Sequence, residues 1–335
     1  MIDLKSPILL EQSNGVFLDI NTILDEGAFS PTTPLSGYRV KSITTGAAAP
    51  IGYEDPRATR DGIDVGDAYI GRRIIQLVVD VYGNSRQDLA GKINNAVKAM
   101  RFVPKRFSLV DGFRKLEFTM LTSDLSNYPS GKISGFSIVR PAAMPQTSSD
   151  PTVFSGSDGA GYSTQLVLSF VMKAPYKYSD SLKEAIATAN DSTLVPLHNH
   201  GSAPAYGEVV IYKTTSGLNT SEVQFKITLN GTPLDLSIPA GKIGDDATYE
   251  YKILINYDEQ TVYDQVVTKS SGLITTTLNQ SYIIVNSGAL FGLIDPDDDI
   301  LSGEPSKIKV RAQQSNGTII STGYDYRITW REAWY

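Results

Sequence analysis

The sequence predicts a mainly β protein in two domains, the first carrying a single helix and the second an all-β sandwich of jelly-roll or lectin type. Three observations predict it. Apolar and polar residues alternate with a period of two over much of the chain, the signature of strands with one buried face. Only one stretch has convincing helical spacing. The chain's 335 residues also exceed the roughly 250–300 at which a single hydrophobic core stops growing.

Residues 73–82 place Ile75, Leu77, Val79 and Val81 on one strand face, with Gln76 and Asp80 on the other. Ser85-Arg86-Gln87-Asp88 then opens a helix. Ser85 is suited to accept a first-turn N–H, and Asp88 suits the positive end of the helix dipole. Leu89, Ile93, Val97 and Met100 form the apolar stripe and Pro104 stops it, so the helix is expected over 85–101.

Strands over 106–110 and 114–122 flank Asp111-Gly112, a pair that tolerates the positive φ of a tight hairpin. On the second, Leu116, Phe118 and Met120 share a face. Further strands read over 133–139 and 165–172. Residues 141–163 hold three Pro, five Ser and three Gly, and read as a long mobile surface loop. The passage between domains spans 173–196 and contains a short helical piece over 180–189. The domains are thus placed at 1–190 and 191–335.

Beyond residue 197 the pattern is purely β. Val223, Phe225, Ile227 and Leu229 alternate with polar residues until Asn230-Gly231 turns the chain into Leu234, Leu236 and Ile238. Strands over 249–257, 282–285, 308–312 and 326–330 complete the sandwich.

The composition removes whole classes of chemistry. Without a cysteine there are no disulfides, thiolate metal sites or cysteine nucleophiles. With only His198 and His200, a histidine-based triad is nearly excluded. The net charge of −6 divides into +1 for residues 1–190 and −7 for 191–335, so neither half has the basic excess of a nucleic-acid binder. The start Met1-Ile2-Asp3-Leu4-Lys5 lacks the basic and apolar regions of a signal peptide, and no apolar run reaches about 18 residues. Neither export nor membrane insertion is expected, and the chain is expected to be made in a reducing cytoplasm.

Two segments invite a metal reading. His198-Asn199-His200 on an extended chain would put both imidazoles on one face, yet two ligands make a weak site. The aspartates of 295–299 lack the glycine and terminal glutamate of an EF-hand loop, so a solvated turn is expected rather than calcium. Phosphate loops and dinucleotide fingerprints are absent, and no carboxylate pair suggests a glycosidase. No catalytic, cofactor-binding or metal residue is assigned from the sequence, and no enzymatic activity is expected.

The order of these elements resembles the distal tail proteins of long-tailed bacteriophages. The first half matches in the strand ending at Tyr82, the helix, the hairpin through Asp111-Gly112, and the closing Phe170 with Ala174-Pro175-Tyr176-Lys177-Tyr178. The second half matches in the run from Leu197 to Gly207 containing Asn199-His200-Gly201, in Asp258 followed by Thr261-Val262, and in the closing run from Tyr326 to Tyr335.

The resemblance implies an N-terminal β-barrel-like domain that assembles as a hexameric ring, and a galectin-like C-terminal sandwich that opens with an Asn-x-Gly segment and projects outward. It implies a virion structural protein at the tip of the tail tube, in the baseplate. Its partners would be the tube protein, the tip hub and receptor-binding proteins, with DNA passing through the lumen unbound. The ring contacts are expected in the first domain, where Arg57, Arg60, Arg72 and Arg73 lie near Asp61, Asp64 and Asp67. Two features depart from the family: the length of 141–163, and Ile294-Asp295-Pro296 where a Pro-Gly turn is usual. A different reading makes the sandwich a carbohydrate-binding module for host attachment, with Tyr324, Tyr326, Trp330, Trp334 and Tyr335 as an aromatic platform, although core packing and interface burial are the favoured account of these side chains.

Overall fold

Alternation has become antiparallel sheet in both halves of the chain, seen in a computed structural model. It describes all residues except 13, 25–35, 47–49, 52–53, 57–62, 66–68, 71–72, 102–112, 148–151, 157–158, 174–175, 191, 279–282, 289, 291 and 298–304. At 50–51, 54–56, 63–65, 69–70, 152–156, 159–160 and 278 it describes the backbone only. The expected strand over 106–110, the Asp111-Gly112 turn and Pro104 lie outside the described residues. So do Arg57, Arg60, Asp61, Asp67, Arg72 and the Asp64 side chain.

The chain divides into two compact units, Met1–Tyr178 and Ser179–Tyr335. The division comes twelve residues before the expected 190/191 boundary.

In the first unit the main strands are β1 (Leu9–Glu11), β2 (Phe17–Asp19), β3 (Gly37–Thr45), β4 (Ile74–Gly83), β5 (Arg114–Leu121), β6 (Lys132–Pro141) and β7 (Gly159–Met172). They hydrogen-bond in the order β2-β1-β5-β6-β7-β4-β3. Just past β2 the chain bonds to β3, with Ile23 N–H donating to the Tyr38 carbonyl (3.0 Å) and Val40 N–H to Asn21 Oδ1 (2.8 Å). The two ends of the strand order therefore meet, and the sheet curls into a barrel-like form. Ile75, Leu77, Val79 and Val81 are all buried, as are Leu116, Phe118 and Met120.

The helix α1 (Arg86–Ala99) starts as its sequence requires. Ser85 Oγ accepts from Asp88 N–H (3.1 Å), and Asp88 Oδ2 accepts from Asn84 N–H (2.9 Å). At its other end the buried Arg114 guanidinium donates to the carbonyls of Ala99 and Arg101, which have no partner further along the helix. The buried face differs from the expected stripe. Leu89 and Met100 are buried, but Ala96 and Ala99 fill the positions between them, and Ile93 and Val97 are only half-buried. Small residues let the helix lie close on the sheet. Gly83 serves the same end, since a Cβ there would stand 2.5 Å from Leu89 N.

The expected loop over 141–163 is largely sheet. A strand at Thr152–Gly156 pairs with the early part of β7, from Thr152 opposite Ser163 to Gly156 opposite Gly159. Because β7 is already held in the main sheet by β4, the added strand extends an existing sheet and needs few core-forming side chains of its own.

The second unit contains β8 (Lys183–Thr188), β9 (Val195–Leu197), β10 (Ala205–Lys213), β11 (Val223–Leu229), β12 (Thr232–Ile238), β13 (Tyr249–Asn256), β14 (Thr261–Thr268), β15 (Ile274–Leu278), β16 (Ile284–Gly288), β17 (Leu293–Ile294), β18 (Ser306–Gln314) and β19 (Tyr324–Trp330). One sheet runs β8-β19-β10-β13-β14-β15 and the other β9-β18-β11-β12-β16. The inner face of the first carries Val209, Ile211, Ile253, Ile255, Tyr326 and Ile328, and that of the second Phe225, Ile227, Leu234, Leu236 and Val310, all buried. Phe225 and Tyr324 meet edge to face between the sheets at 5.4 Å, as in a β-sandwich. The Asn230-Gly231 turn has φ of 47° and 85°, the left-handed pair of a two-residue hairpin.

The expected helical piece over 180–189 is instead β8, paired along its length with β19 from Lys183 opposite Trp330 to Thr188 opposite Asp325. Its small Ala185 and Ala187 sit on the more buried side. The free edge of β19 overrides the helix propensity of Lys-Glu-Ala. Because β8 belongs to the sandwich, the division falls before residue 180.

Asp3 anchors the start of the first unit. It accepts from Ser6 Oγ (2.8 Å) and Lys5 N–H (3.0 Å) and pairs with Lys132 Nζ (2.9 Å). The Lys132 ammonium foremost, with these two donors, holds its carboxyl below the usual range against the opposing effect of burial. A lowered folded-state pKa contributes stability above the unfolded value, and that contribution is lost as pH falls through the folded one. Asp3→Asn should therefore cost about 1 kcal/mol at pH 7, the gap to the parent closing below about pH 4. Denaturant titrations at pH 7 and pH 3 check this, and equal stability at pH 7 would contradict it.

Candidate functional site

The segment between β9 and β10 is a turn built around one buried amide. Asn199 is fully buried; its Nδ2 donates to the carbonyls of Ala203 (2.9 Å) and Ile294 (3.0 Å), and its Oδ1 accepts from Gly201 N–H (3.1 Å). Its backbone exchanges two further bonds with Asp297: Asn199 N–H donates to Asp297 Oδ1 (3.1 Å) and Asp297 N–H to the Asn199 carbonyl (2.9 Å). The loop after β17 is thereby fastened to the turn.

With Asn199 turned inward, its two neighbours turn outward together. The His198 and His200 rings stack at 5.9 Å with their planes 5° apart. Asp297 Oδ2 lies 3.0 Å from His198 Nδ1 and 3.7 Å from His200 Nε2. The other ring nitrogen of His200, Nδ1, lies 2.7 Å from Oε1 of Glu332, a carboxylate with no solvent exposure. Lys183 Nζ stands 3.5 Å from that same oxygen. A carboxylate accepts, so His200 donates from Nδ1 to Glu332, and its Nε2 faces Asp297. The indole of Trp330 donates to the His198 carbonyl (3.0 Å) and steadies the turn from below.

The glycine of the turn has a steric duty. A Cβ on Gly201 would stand 1.9 Å from the Ala333 carbonyl oxygen, and Ala203 N–H donates to that oxygen at 3.0 Å. Only glycine allows the chain at Ala333 so close, and this contact sets Glu332 beside His200.

The aspartates of 295–299 part company within their described residues. Asp295 accepts from Asn230 Nδ2 while Asp297 faces the histidines. Asp298 and Asp299 lie outside the described residues. Two features of the sequence that looked unrelated, the His-x-His pair and one aspartate of this run, therefore meet across about a hundred residues. Together they form the one group of three potential metal ligands among the described residues, with donor atoms within 4.8 Å of one another. Neither the Asp297 contact nor Glu332 was recognised from the sequence, where only the His-x-His spacing hinted at a common face.

The aromatic platform of the alternative reading does not form, and core packing accounts for most of these side chains. Tyr324, Tyr326 and Trp330 are buried side chains of β19. Burial pushes the Tyr326 phenol up to about 12, and its hydroxyl has no hydrogen-bond partner among the described residues. Of the five residues, Tyr335 remains exposed and Trp334 half-buried. The alternation that makes β19 a strand also buries its aromatic residues.

No protein-family model and no curated protein matches the chain. Among solved structures it is similar to one described as the SPP1 Dit (gp 19.1) protein, "a paradigm of hub adsorption apparatus in Gram-positive infecting phages". The identity is 15%, with 88% of this chain and 93% of that one covered at a TM-score of 0.48. It is also similar to chains of the phage P2 baseplate in its activated conformation, one with Ca and one with Sr. These are 9% and 10% identical, each covering 97% of both chains, at TM-scores of 0.45 and 0.43. These neighbours are phage hub and baseplate proteins.

Gly201 and Gly231 separate steric from conformational demand. Gly231 has φ of 85° with open space around it, so Gly231→Ala should cost about 1 kcal/mol for the left-handed backbone alone. Gly201→Ala must displace the Ala333 backbone and should cost at least about 2 kcal/mol. Denaturant unfolding of both variants checks the ordering, and a Gly201→Ala protein as stable as its parent would refute it.

Proposed function

We propose that this chain is a structural protein of a phage tail tip, assembling as a hexameric ring that joins the tail tube to the hub and receptor-binding apparatus. One observation carries the reading. A barrel-like unit with one helix among its described residues is followed by a sandwich whose opening turn is Asn199-His200-Gly201, and both the amide and the glycine are required there by the local geometry. This is the element order on which the resemblance to distal tail proteins rests.

On this reading the protein has no enzymatic task, and DNA passes through the lumen without being gripped. The first unit carries the ring contacts, which are head-to-tail and need two complementary patches per subunit. Residues 191–335, at net −7, would repel one another if six copies were crowded round an axis. The glycan-binding alternative loses its support with the burial of Tyr324, Tyr326 and Trp330.

The purified full chain should have a solution mass about six times its 36.4 kDa and appear in negative stain as a ring with a central opening. A monomer at micromolar concentration, without rings in the micrographs, would be evidence against the proposal.

A further inference from the structure

We propose that His198 Nδ1, His200 Nε2 and Asp297 Oδ2 form a binding site for a zinc-class divalent ion, one that pins the turn before β10 to the loop after β17. Two imidazoles and one carboxylate are the donor set of a borderline transition metal. Calcium and magnesium prefer oxygen ligands throughout. For bonds of about 2.0–2.1 Å in a tetrahedral site, neighbouring donor atoms stand about 3.3–3.4 Å apart. The two nitrogen-to-oxygen separations, 3.0 and 3.7 Å, bracket that value. The two ring nitrogens lie within 4.8 Å and must close by up to about 1.4 Å, with one ring turned out of the parallel stack so that both in-plane lone pairs meet the ion. His198 has the freedom to do so, since its side chain is 54% exposed.

A second, independent feature points to the same ligand. His200 is backed through Nδ1 by the fully buried Glu332, at 2.7 Å. A carboxylate behind a histidine fixes the tautomer, sharpens the aim of the opposite nitrogen and raises its basicity, the usual outer shell of a metal-bound imidazole. Asp297 is likewise held in place, its Oδ1 by Asn199 N–H and its own N–H by the Asn199 carbonyl. The Oδ2 atom is thus left to face the histidines.

Binding requires one rearrangement of protons. The ion replaces the hydrogen between His198 Nδ1 and Asp297, and that proton passes to His198 Nε2, or to solvent where Nε2 already carries one. Three protein donors leave a fourth position for water. The site goes beyond the tail-tip reading and stands or falls without it.

The test is titration of the full-length, chelator-treated protein with Co²⁺ near neutral pH, followed by visible absorption, with Zn²⁺ as competitor. One Co²⁺ per chain should bind, with the intense visible bands of a four-coordinate site, and Zn²⁺ should displace it while millimolar Ca²⁺ does not. His198→Gln and Asp297→Asn should each weaken binding at least about tenfold. The half-exposed His198→Gln variant should melt like its metal-free parent, and Zn²⁺ should raise the melting temperature of the parent alone. Glu332→Gln should weaken Co²⁺ binding while leaving its stoichiometry at one. The absence of one-to-one binding below about 1 mM Co²⁺ would overturn the proposal. So would equal binding by the parent and His198→Gln, or occupancy by Ca²⁺ in preference to Zn²⁺.

Discussion

Side-chain amides bonded to the backbone hold together what the sheets of this cysteine-free chain leave open. A strand satisfies its own N–H and C=O groups through its neighbours, but a buried turn cannot, and an unpaired buried polar group is costly. Asn21 and Asn199 have no exposed surface, and Asn219 is nearly as deeply buried. Each lies where the chain leaves a regular strand pairing. Asn21 donates to the carbonyls of Leu4 and Ser6 and accepts from Val40 N–H. Asn219 donates to the carbonyls of Ser221 and Pro239 and accepts from the N–H groups of Lys242 and Ile243. The short amide supplies two donors and an acceptor from one rigid plane, so a single residue ties segments from distant parts of the chain.

This constraint shapes both units. In the first, Asn21 links the chain beyond β2 to β3, and the strand order closes on itself. In the second, Asn199 brackets the end of the sandwich by joining the turn after β9 to the loop after β17. Glycine complements the amide where backbones come close. Gly201 admits Ala333 and Gly83 admits the first turn of α1, each at a distance that forbids a Cβ. Alanines on the buried face of α1 continue the same logic, since the helix gains contact with the sheet by approach rather than by side-chain length.

The Asn-x-Gly turn also joins structure to chemistry. Its first residue is consumed by the fold and its third by a close approach, so the residue between them is free to differ in kind. Here it is a histidine, with a second histidine one place before the asparagine. The inward turn of Asn199 sends both outward, onto the carboxylate that the same amide residue has fastened in place. A rigid scaffold of backbone bonds thus presents three potential ligands, with Glu332 and Lys183 completing a charge-balanced support behind them.

Much of this was legible in the sequence, wherever the relation was local. The inward faces of β4, β5 and β11 follow from a period of two. The helix start follows from Ser85 and Asp88 three residues apart, and the β11–β12 hairpin from Asn230-Gly231. Each of these depends on residues within a turn or a few strand positions of one another. Tertiary structure decided the rest. Residues 183–188 became a strand because β19 offered an unpaired edge, and 152–156 because β7 extended far enough to meet them. The face of α1 was set by which side chains allowed close approach to the sheet, a choice that helical spacing leaves open. Asp297 reached His198 because strand pairing brought residues 99 apart in sequence to 3.0 Å in space. Pairing partners far along the chain are selected by the packing of whole sheets, and no local spacing records that choice.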